Sequence, residues 1–236
     1  MRRPLRTILL KSIMPAVAFG LFLAVVSISA AVAQEMVLCP LPPGEPVVDL
    51  YIDEGPIRFD HDVTQAQIEA LYREEGSLTH GVLGHPVGLT RMGVKFDIRT
   101  ELRPLRLPTG LYCLWLVRVD ALLRYADTVI YIDRRFEPGS CQYETVLDHE
   151  YTHIAINREM LRLHAPRIRM ALAEAVRRIN PVVVEDLFRD RDQPIALLQA
   201  AVEAELNAFN QARDQANSTI DTPDNYRRTQ ALCSNW

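Results

Sequence analysis

Three stretches in the middle of the chain have the hydrophobic pattern of β-strands. Apolar and polar side chains alternate from Val94 to Glu101, which predicts a half-buried strand. Leu111–Val119 and Thr128–Asp133 are more continuously apolar, which predicts buried strands. The link between these two, residues 120–127, is short enough for an antiparallel pair. The middle of the chain is therefore predicted to be rich in β-structure.

Helical periodicity dominates the rest of the chain. A first helix is predicted to begin after Thr64, a good N-cap with Gln67 three residues on, and to end near Glu75. Beyond the breaker at 137–140, helices are predicted at about 142–164, 167–179 and 195–216. The break between the first two of these is placed at Ala165-Pro166, because proline lacks the N–H that a helix needs. Residues 221–225 are predicted to form a turn.

The first 33 residues have the pattern of a secretory signal. Four basic residues near the start precede an almost uncharged run from Ser12 to Ala33, which ends in the small-x-small sequence Ala31-Val32-Ala33. The run is also long enough to remain as an uncleaved membrane anchor. Residues 34–236 are then expected to be a single exported domain, periplasmic or secreted, whose proline-rich start at 34–56 is extended.

Charge and hydropathy limit the partners of this domain. Removing the four basic residues of the signal from a total of 26 leaves 22 against 30 acidic residues, a net charge of −8. A strongly acidic balance argues against nucleic acid as a partner. No second apolar run has membrane-spanning length, so no membrane contact is expected beyond the possible anchor. The pattern predicts no oligomeric state.

All four cysteines lie in the part expected to be exported. An even number of cysteines in an oxidising compartment predicts two disulfides, for which three connectivities are possible. Cys39 and Cys233 stand near the two ends of the domain, so we interpret them as tethers for the termini. No two cysteines have the close spacing of a cysteine-rich metal site.

The sequence Asp148-His149-Glu150-Tyr151-Thr152-His153 suggests metal chemistry. Histidines four residues apart lie on one face of a helix, one turn from each other, and can bind one Zn²⁺ from the same side. Glu150 lies one step round the helix, where it can act as general base towards a water whose pKa zinc lowers to about 7. His149 and His153 are therefore predicted metal ligands, and Glu150 the predicted catalytic residue.

Val146 to Ala155 resembles the extended signature of the zincin metallopeptidases. The resemblance implies an α+β fold in which a small mixed sheet is followed by an active-site helix and two further helices. It also implies that an edge strand binds extended peptide, and that Thr128–Asp133 lies near this edge. More loosely, Cys141 and the Asp-x-Pro turn at 221–223 resemble uncharacterised secreted bacterial proteins predicted to be zinc peptidases. Metzincins are excluded, because Glu159 stands where their third histidine would be.

The third zinc ligand is open on sequence alone. His164, on a continuous helix, would lie about 16 Å beyond His153. The resemblance to gluzincins implies a glutamate from a later helix, and three compete: Glu174, Glu203 and Glu205. Glu205 is preferred, since it falls within the apolar stripe of the 195–216 helix, where an unpaired carboxylate is costly. Tyr143, Tyr151 and Tyr226 are candidates for polarising a substrate carbonyl, and the sequence does not choose among them.

These observations predict an exported zinc-dependent hydrolase, specifically a metallopeptidase acting on peptide or protein substrates. Two alternatives stay open at this point. One is a periplasmic binding or scaffold protein that carries the motif without turnover. The other is a zinc amidase that acts on the cell wall.

Overall fold

The first half of the described chain is rich in β-strands, and the second half is mostly helical. The computed structural model describes residues 39–42, 44–74 and 86–236, so the signal-like segment of residues 1–33 lies outside the described part. The elements are, in order, β1 (Val47–Asp53), β2 (Ile57–Asp60), α1 (Gln65–Glu74), β3 (Gly88–Arg106), β4 (Tyr112–Ile132), α2 (Cys141–Ile179), β5 (Val182–Val184), α3 (Gln193–Ser218) and α4 (Pro223–Gln230). The predicted α+β class and mixed sheet before a long helix are confirmed.

The sheet is organised around β4. Along one side β4 pairs antiparallel with β3, with Val94 opposite Tyr125. Along the other side it pairs in parallel with β1 and β2 and antiparallel with β5. Near Thr128, β4 thus has a partner on both sides, so Thr128–Asp133 does not itself form a sheet edge but lies directly beside β3, as an expectation of nearness to an edge strand requires. Within the described residues, β3 pairs only with β4 and therefore borders the sheet.

The two strands predicted at 111–119 and 128–133 are parts of the single strand β4, not an antiparallel pair. The residues between them continue the alternation of a strand: Ala121, Leu123 and Tyr125 are buried. The intervening polar residues are paired, Asp120 with Arg118 at 2.9 Å and Arg124 with Asp97 at 3.3 Å. The charged residues Asp120 and Arg124 therefore lie on the less buried side of a continuous strand and do not mark a turn.

α2 is one continuous helix of 39 residues, so the predicted break at Ala165-Pro166 is wrong. A proline removes only one N–H and crowds one carbonyl, at a cost of about 3 kcal/mol. The buried residues Leu161, Ile168 and Leu172 stand on both sides of it and pack in the core. Burying side chains of this size stabilises by about 1.5–3 kcal/mol each, which is enough to keep the helix intact.

Helices α2 and α3 pack together on one face of the sheet. Val119 and Ala121 of β4 belong to the same core cluster as Leu172 of α2 and Val202 of α3. Nearer the start of α2, Val146 and Ile154 pack with Ile130 and Ile132 of β4 in a second cluster. The turn of α2 that carries the two histidines is thereby fixed against the end of the central strand.

Two disulfides close the described part of the chain, and both are of the kind expected in an exported protein. Cys39 is bonded to Cys113 in β4, and Cys233 to Cys141 at the start of α2. The interpretation of Cys39 and Cys233 as terminal tethers is confirmed. Cys39–Trp236 form one compact unit.

None of the helices in the described residues has the length and apolar character needed to cross a membrane.

Candidate metal centre

Three potential metal ligands converge where α2 meets the chain that follows α3. Oδ1 of Asp221 lies 3.2 Å from Nε2 of His149 and 3.2 Å from Nε2 of His153. The ligand atoms of all three residues lie within 4.8 Å of one another. Across residues 39–42, 44–74 and 86–236, no other group of three His, Cys, Asp or Glu side chains has such a spacing. This group can hold a metal ion.

The two histidines are placed by helix geometry and core packing. They are one turn apart on α2, and their ring centroids are 5.0 Å apart. His153 is 7% exposed, and its neighbour Ile154 is anchored in the core at 2%. The spacing of the two histidines therefore follows from α2.

Asp221 is placed by a short capped turn between α3 and α4. The hydroxyl of Thr222 caps α4 by accepting a hydrogen bond from the N–H of Asn225 at 3.2 Å. The Asn225 amide donates back to the carbonyl of Ile220 at 2.8 Å. In the first turn of α4, the Tyr226 hydroxyl donates to Asp221 Oδ1 at 2.8 Å, and its ring lies 5.4 Å from that of His149. Of the three candidate tyrosines, the structure brings Tyr226 to the site.

The glutamates considered from the sequence are not part of this group. Asn217 near the end of α3 contacts His153, and Glu205 precedes it by twelve residues, roughly 18 Å along a helix. Glu203 is exposed, and Glu174 pairs with Arg177 and Arg178 at the surface. α3 thus reaches the histidines with its C-terminal end, and the next turn supplies Asp221 where Glu205 was predicted. The one sign of this ligand in the sequence was the Asp-x-Pro turn at 221–223. It is a weak sign, because an aspartate in a turn is ordinary.

A chain of amides orients His153. Its Nδ1 lies 2.8 Å from Oδ1 of Asn217, whose Nδ2 donates to the Arg213 carbonyl at 2.9 Å and to Oδ1 of Asn157 at 3.0 Å. A carbonyl can only accept, so the orientation of the Asn217 amide is determined and its oxygen faces the imidazole. Nδ1 of His153 therefore carries hydrogen, and Nε2 faces Asp221. This is the arrangement that outer partners impose on metal-binding histidines.

The electrostatics of the group favour a cation between its members. Burial disfavours the charged form of His153, but the hydrogen bond to Asp221 and the charges of Glu150 and Asp221 outweigh it and raise the pKa of His153 to about 9. Burial would raise the pKa of Asp221, yet the hydrogen bonds with His149 and His153 hold this pKa well below its ordinary value. Without metal, a proton provides the positive charge. A metal ion can take its place.

Glu150 is buried beside the histidines against the start of β3. It is 2% exposed, and its Oε2 has no hydrogen-bond partner in the described structure. A Cβ atom on Gly88 would lie 2.5 Å from its Oε1, so the carboxylate occupies space that only glycine leaves free. Burial raises the pKa of Glu150, and the charges of His153 and His149 act in the opposite direction. A buried carboxylate oxygen without a partner is energetically costly.

In comparisons with known proteins, no protein family, curated protein or solved structure matches this chain. The functional assignment therefore depends on the site itself.

Proposed function

We propose that the chain is a zinc-dependent hydrolase of peptide bonds, with His149, His153 and Asp221 as the metal ligands. The observation that carries this proposal is the convergence of these three side chains beside the buried Glu150. Two imidazoles and one carboxylate are a ligand set of catalytic zinc sites, which keep a further position open. Magnesium and calcium favour sites made of oxygen ligands.

Glu150 is the general base of this proposal. When bound, zinc supplies a Lewis acid that polarises the scissile carbonyl and lowers the pKa of water. Glu150 accepts the proton of the attacking water and passes it to the leaving amine. Its burial, which raises the pKa of the carboxylate, suits this role, since a general base works best when its pKa is near the operating pH.

The other residues of the site hold the ligands in position. Asn217 fixes the ring of His153 through Nδ1, and Tyr226 holds Asp221 through its hydroxyl. Gly88 leaves the space that Glu150 Oε1 occupies. These are positioning roles, because each residue acts through a ligand or through the base.

A peptide substrate is supported by the sheet border next to the site. Gly88 lies close to the Glu150 carboxylate, and the Thr90 hydroxyl donates to the Glu150 backbone carbonyl at 3.1 Å. The start of β3 therefore lies against α2 at the histidine motif. Within the described residues, β3 has a strand partner on one side only. Backbone groups on the free side of such a strand can pair with an extended peptide.

The test is Glu150→Gln, with Glu159→Gln as the matched control on the exposed side of the same helix. We expect both variants to retain one zinc per chain by elemental analysis. Casein hydrolysis should fall by at least about 100-fold in Glu150→Gln and be unchanged in Glu159→Gln.

Each contrary outcome is specific. Wild-type protein without stoichiometric zinc, or with iron in its place, would contradict the metal assignment. Normal hydrolysis by Glu150→Gln would contradict the base. Zinc with no turnover would support the binding or scaffold alternative, and cleavage of peptidoglycan but not casein would support the cell-wall amidase.

A further inference from the structure

One of the three ligands of the metal centre is carried by the C-terminal segment, which we define as residues 219–236. This segment begins where α3 ends and contributes both Asp221 and Tyr226. Its far end is bonded covalently to the start of α2 through Cys233 and Cys141. The disulfide and the two histidines are thus on the same helix, eight to twelve residues apart, with the segment spanning between them.

Apart from the metal centre, the contacts between this segment and the rest of the protein cluster around the disulfide. α4 contributes no buried residue to the core. Near the bond, Cys233 Sγ lies 3.4 Å from the Thr145 hydroxyl, and the Gln142 side chain donates to the Asn235 carbonyl. The Trp236 ring packs edge-on against Phe136 at a centroid distance of 5.7 Å. The segment therefore has little apolar burial of its own to keep Asp221 in place.

We propose that the Cys141–Cys233 disulfide is a redox latch for the metal centre: its reduction releases the C-terminal segment and weakens metal binding by Asp221. The inference rests on the proposed function, since it concerns the same ligands. His149 and His153 stay in place on α2 whatever the state of the bond. Asp221 keeps its connection to α3 and the local contacts of its turn but loses the covalent anchor at the far end of the segment, so its effective concentration at the histidines falls.

The reduction is a two-electron exchange with a dithiol. One thiolate of the reductant attacks a sulfur of the Cys141–Cys233 bond, and its second thiol resolves the mixed disulfide. The S–S bond of the protein breaks, two protons are taken up as Cys141 and Cys233 become thiols, and the dithiol is oxidised to its own disulfide. Cys141 is exposed, so a reductant can reach it. A chain that is still in a reducing compartment would therefore bind metal weakly, and full affinity would follow oxidation.

The second disulfide offers a matched control. Cys39–Cys113 joins residues 74 apart in sequence and Cys141–Cys233 residues 92 apart, so the two constrain the unfolded chain to a similar degree. Of the two, only Cys141–Cys233 holds the segment that carries Asp221. Serine replacements are preferable to reduction, because free thiols bind Zn²⁺ themselves.

The experiment compares Cys141→Ser/Cys233→Ser with Cys39→Ser/Cys113→Ser in the full exported chain. Zn²⁺ affinity is measured by competition with a chromophoric chelator. We expect the first variant to bind Zn²⁺ about tenfold or more weakly than the second, within the range typical of disturbed outer-shell support. Equal affinities in the two variants would overturn the latch.

Hydrogen exchange separates this result from misfolding and from failure of the proposed function. Without metal, amides of 219–231 should exchange faster in Cys141→Ser/Cys233→Ser than in the control, while those of α2 around residue 153 stay protected. Unchanged exchange in the segment would also overturn the latch. Absence of Zn²⁺ binding in the oxidised wild-type protein would instead contradict the proposed function, whatever the exchange result.

Discussion

The candidate metal centre joins two regions that are stabilised in different ways. Around its histidines, α2 is part of the core: Glu150 is 2% exposed, His153 7% and Ile154 2%. The C-terminal segment has no buried residue in α4 and is held by a capped turn, by its polar contacts with the histidines and by one disulfide. One half of the site is therefore built by packing, and the other by polar contacts and a cross-link.

This difference indicates how the site responds to change. Local openings of a protein occur where few apolar contacts are made. The histidines and Glu150 should thus remain in place without metal, whereas Asp221 should depend on its partners. Substitutions on α2 are expected to remove metal or chemistry outright, and changes around the segment to weaken metal binding in degrees.

The largest expected effect is that of His153→Ala compared with Asp221→Ala. Loss of His153 removes a ligand from the packed half, and we expect Zn²⁺ affinity to fall by more than the roughly 10–100-fold typical of losing an outer partner. Asp221→Ala should weaken binding less, because both histidines remain on one rigid helix. Chelator competition measures both, and a larger loss for Asp221→Ala would reverse the ranking of the two halves.

The electrostatic link between the halves predicts a pH dependence in metal-free protein. The folded state raises the pKa of His153 from 6.5 to about 9, so it binds a proton more tightly than the unfolded chain does. This contribution is complete below about pH 6.5 and is lost as the pH rises towards 9. It amounts to about 3 kcal/mol.

Urea unfolding of chelator-treated protein at pH 6 and pH 9 measures this change. The raised pKa of Glu150 acts in the same direction, so the comparison is made with Asp221→Asn, which removes the partner of His153 and keeps Glu150. We expect the loss of stability on raising the pH to be clearly smaller in that variant. An identical pH dependence in the two proteins would contradict the His153–Asp221 pair.

Loss of the contact between the Asn217 amide of α3 and His153 of α2 should have an intermediate effect on Zn²⁺ affinity. Asn217→Ala leaves Nδ1 of His153 without its acceptor, and we expect Zn²⁺ affinity to fall by about 10–100-fold. Gln215→Ala, an exposed position on the same helix, is the control and should bind like wild type. If both variants bind equally, the orientation of His153 does not depend on Asn217.

The smallest expected effect is that of Gly88→Ala, which should lower turnover and leave metal binding unchanged. In Gly88→Ala, a new Cβ would lie 2.5 Å from Glu150 Oε1 and 2.6 Å from Val146 Cγ1 and would displace the Glu150 carboxylate, so we expect casein hydrolysis to fall by about tenfold, the cost of roughly 1.4 kcal/mol in the transition state. Gly93→Ala on the same strand meets only the Ala126 carbonyl, at 3.2 Å, and serves as control. In a Glu150→Gln background, Gly88→Ala should have no further effect. An additional loss there would show that the close contact with Val146 Cγ1, and not displacement of Glu150 alone, lowers hydrolysis.

Features that depend on neighbours in sequence could be predicted. The positions of His149, Glu150 and His153 on one helix follow from its period of 3.6 residues. The start of α1 also follows from local chemistry: the N–H of Thr64 donates to Gln67 Oε1 at 2.8 Å, as in a capping box. The α+β order of elements was predictable for the same reason.

Features decided by distant contacts could not be predicted. Pro166 interrupts a local helical pattern, yet packing on both sides of it keeps α2 continuous. Residues 120–127 were predicted to be a short link between two strands, but pairing with β1 and β3 keeps them extended. In each case the energy of tertiary contacts exceeded a local preference of a few kcal/mol.

The candidate metal centre shows the same division. The sequence alone determined that a helix presents two histidines and a glutamate in a spacing suited to zinc, because that geometry is contained within five residues. Only the tertiary structure decided that Asp221, and not Glu205, faces them across a separation of 68 residues from His153. The direction in which α3 packs on α2 sets which of its ends reaches the histidines, and no local pattern encodes that direction.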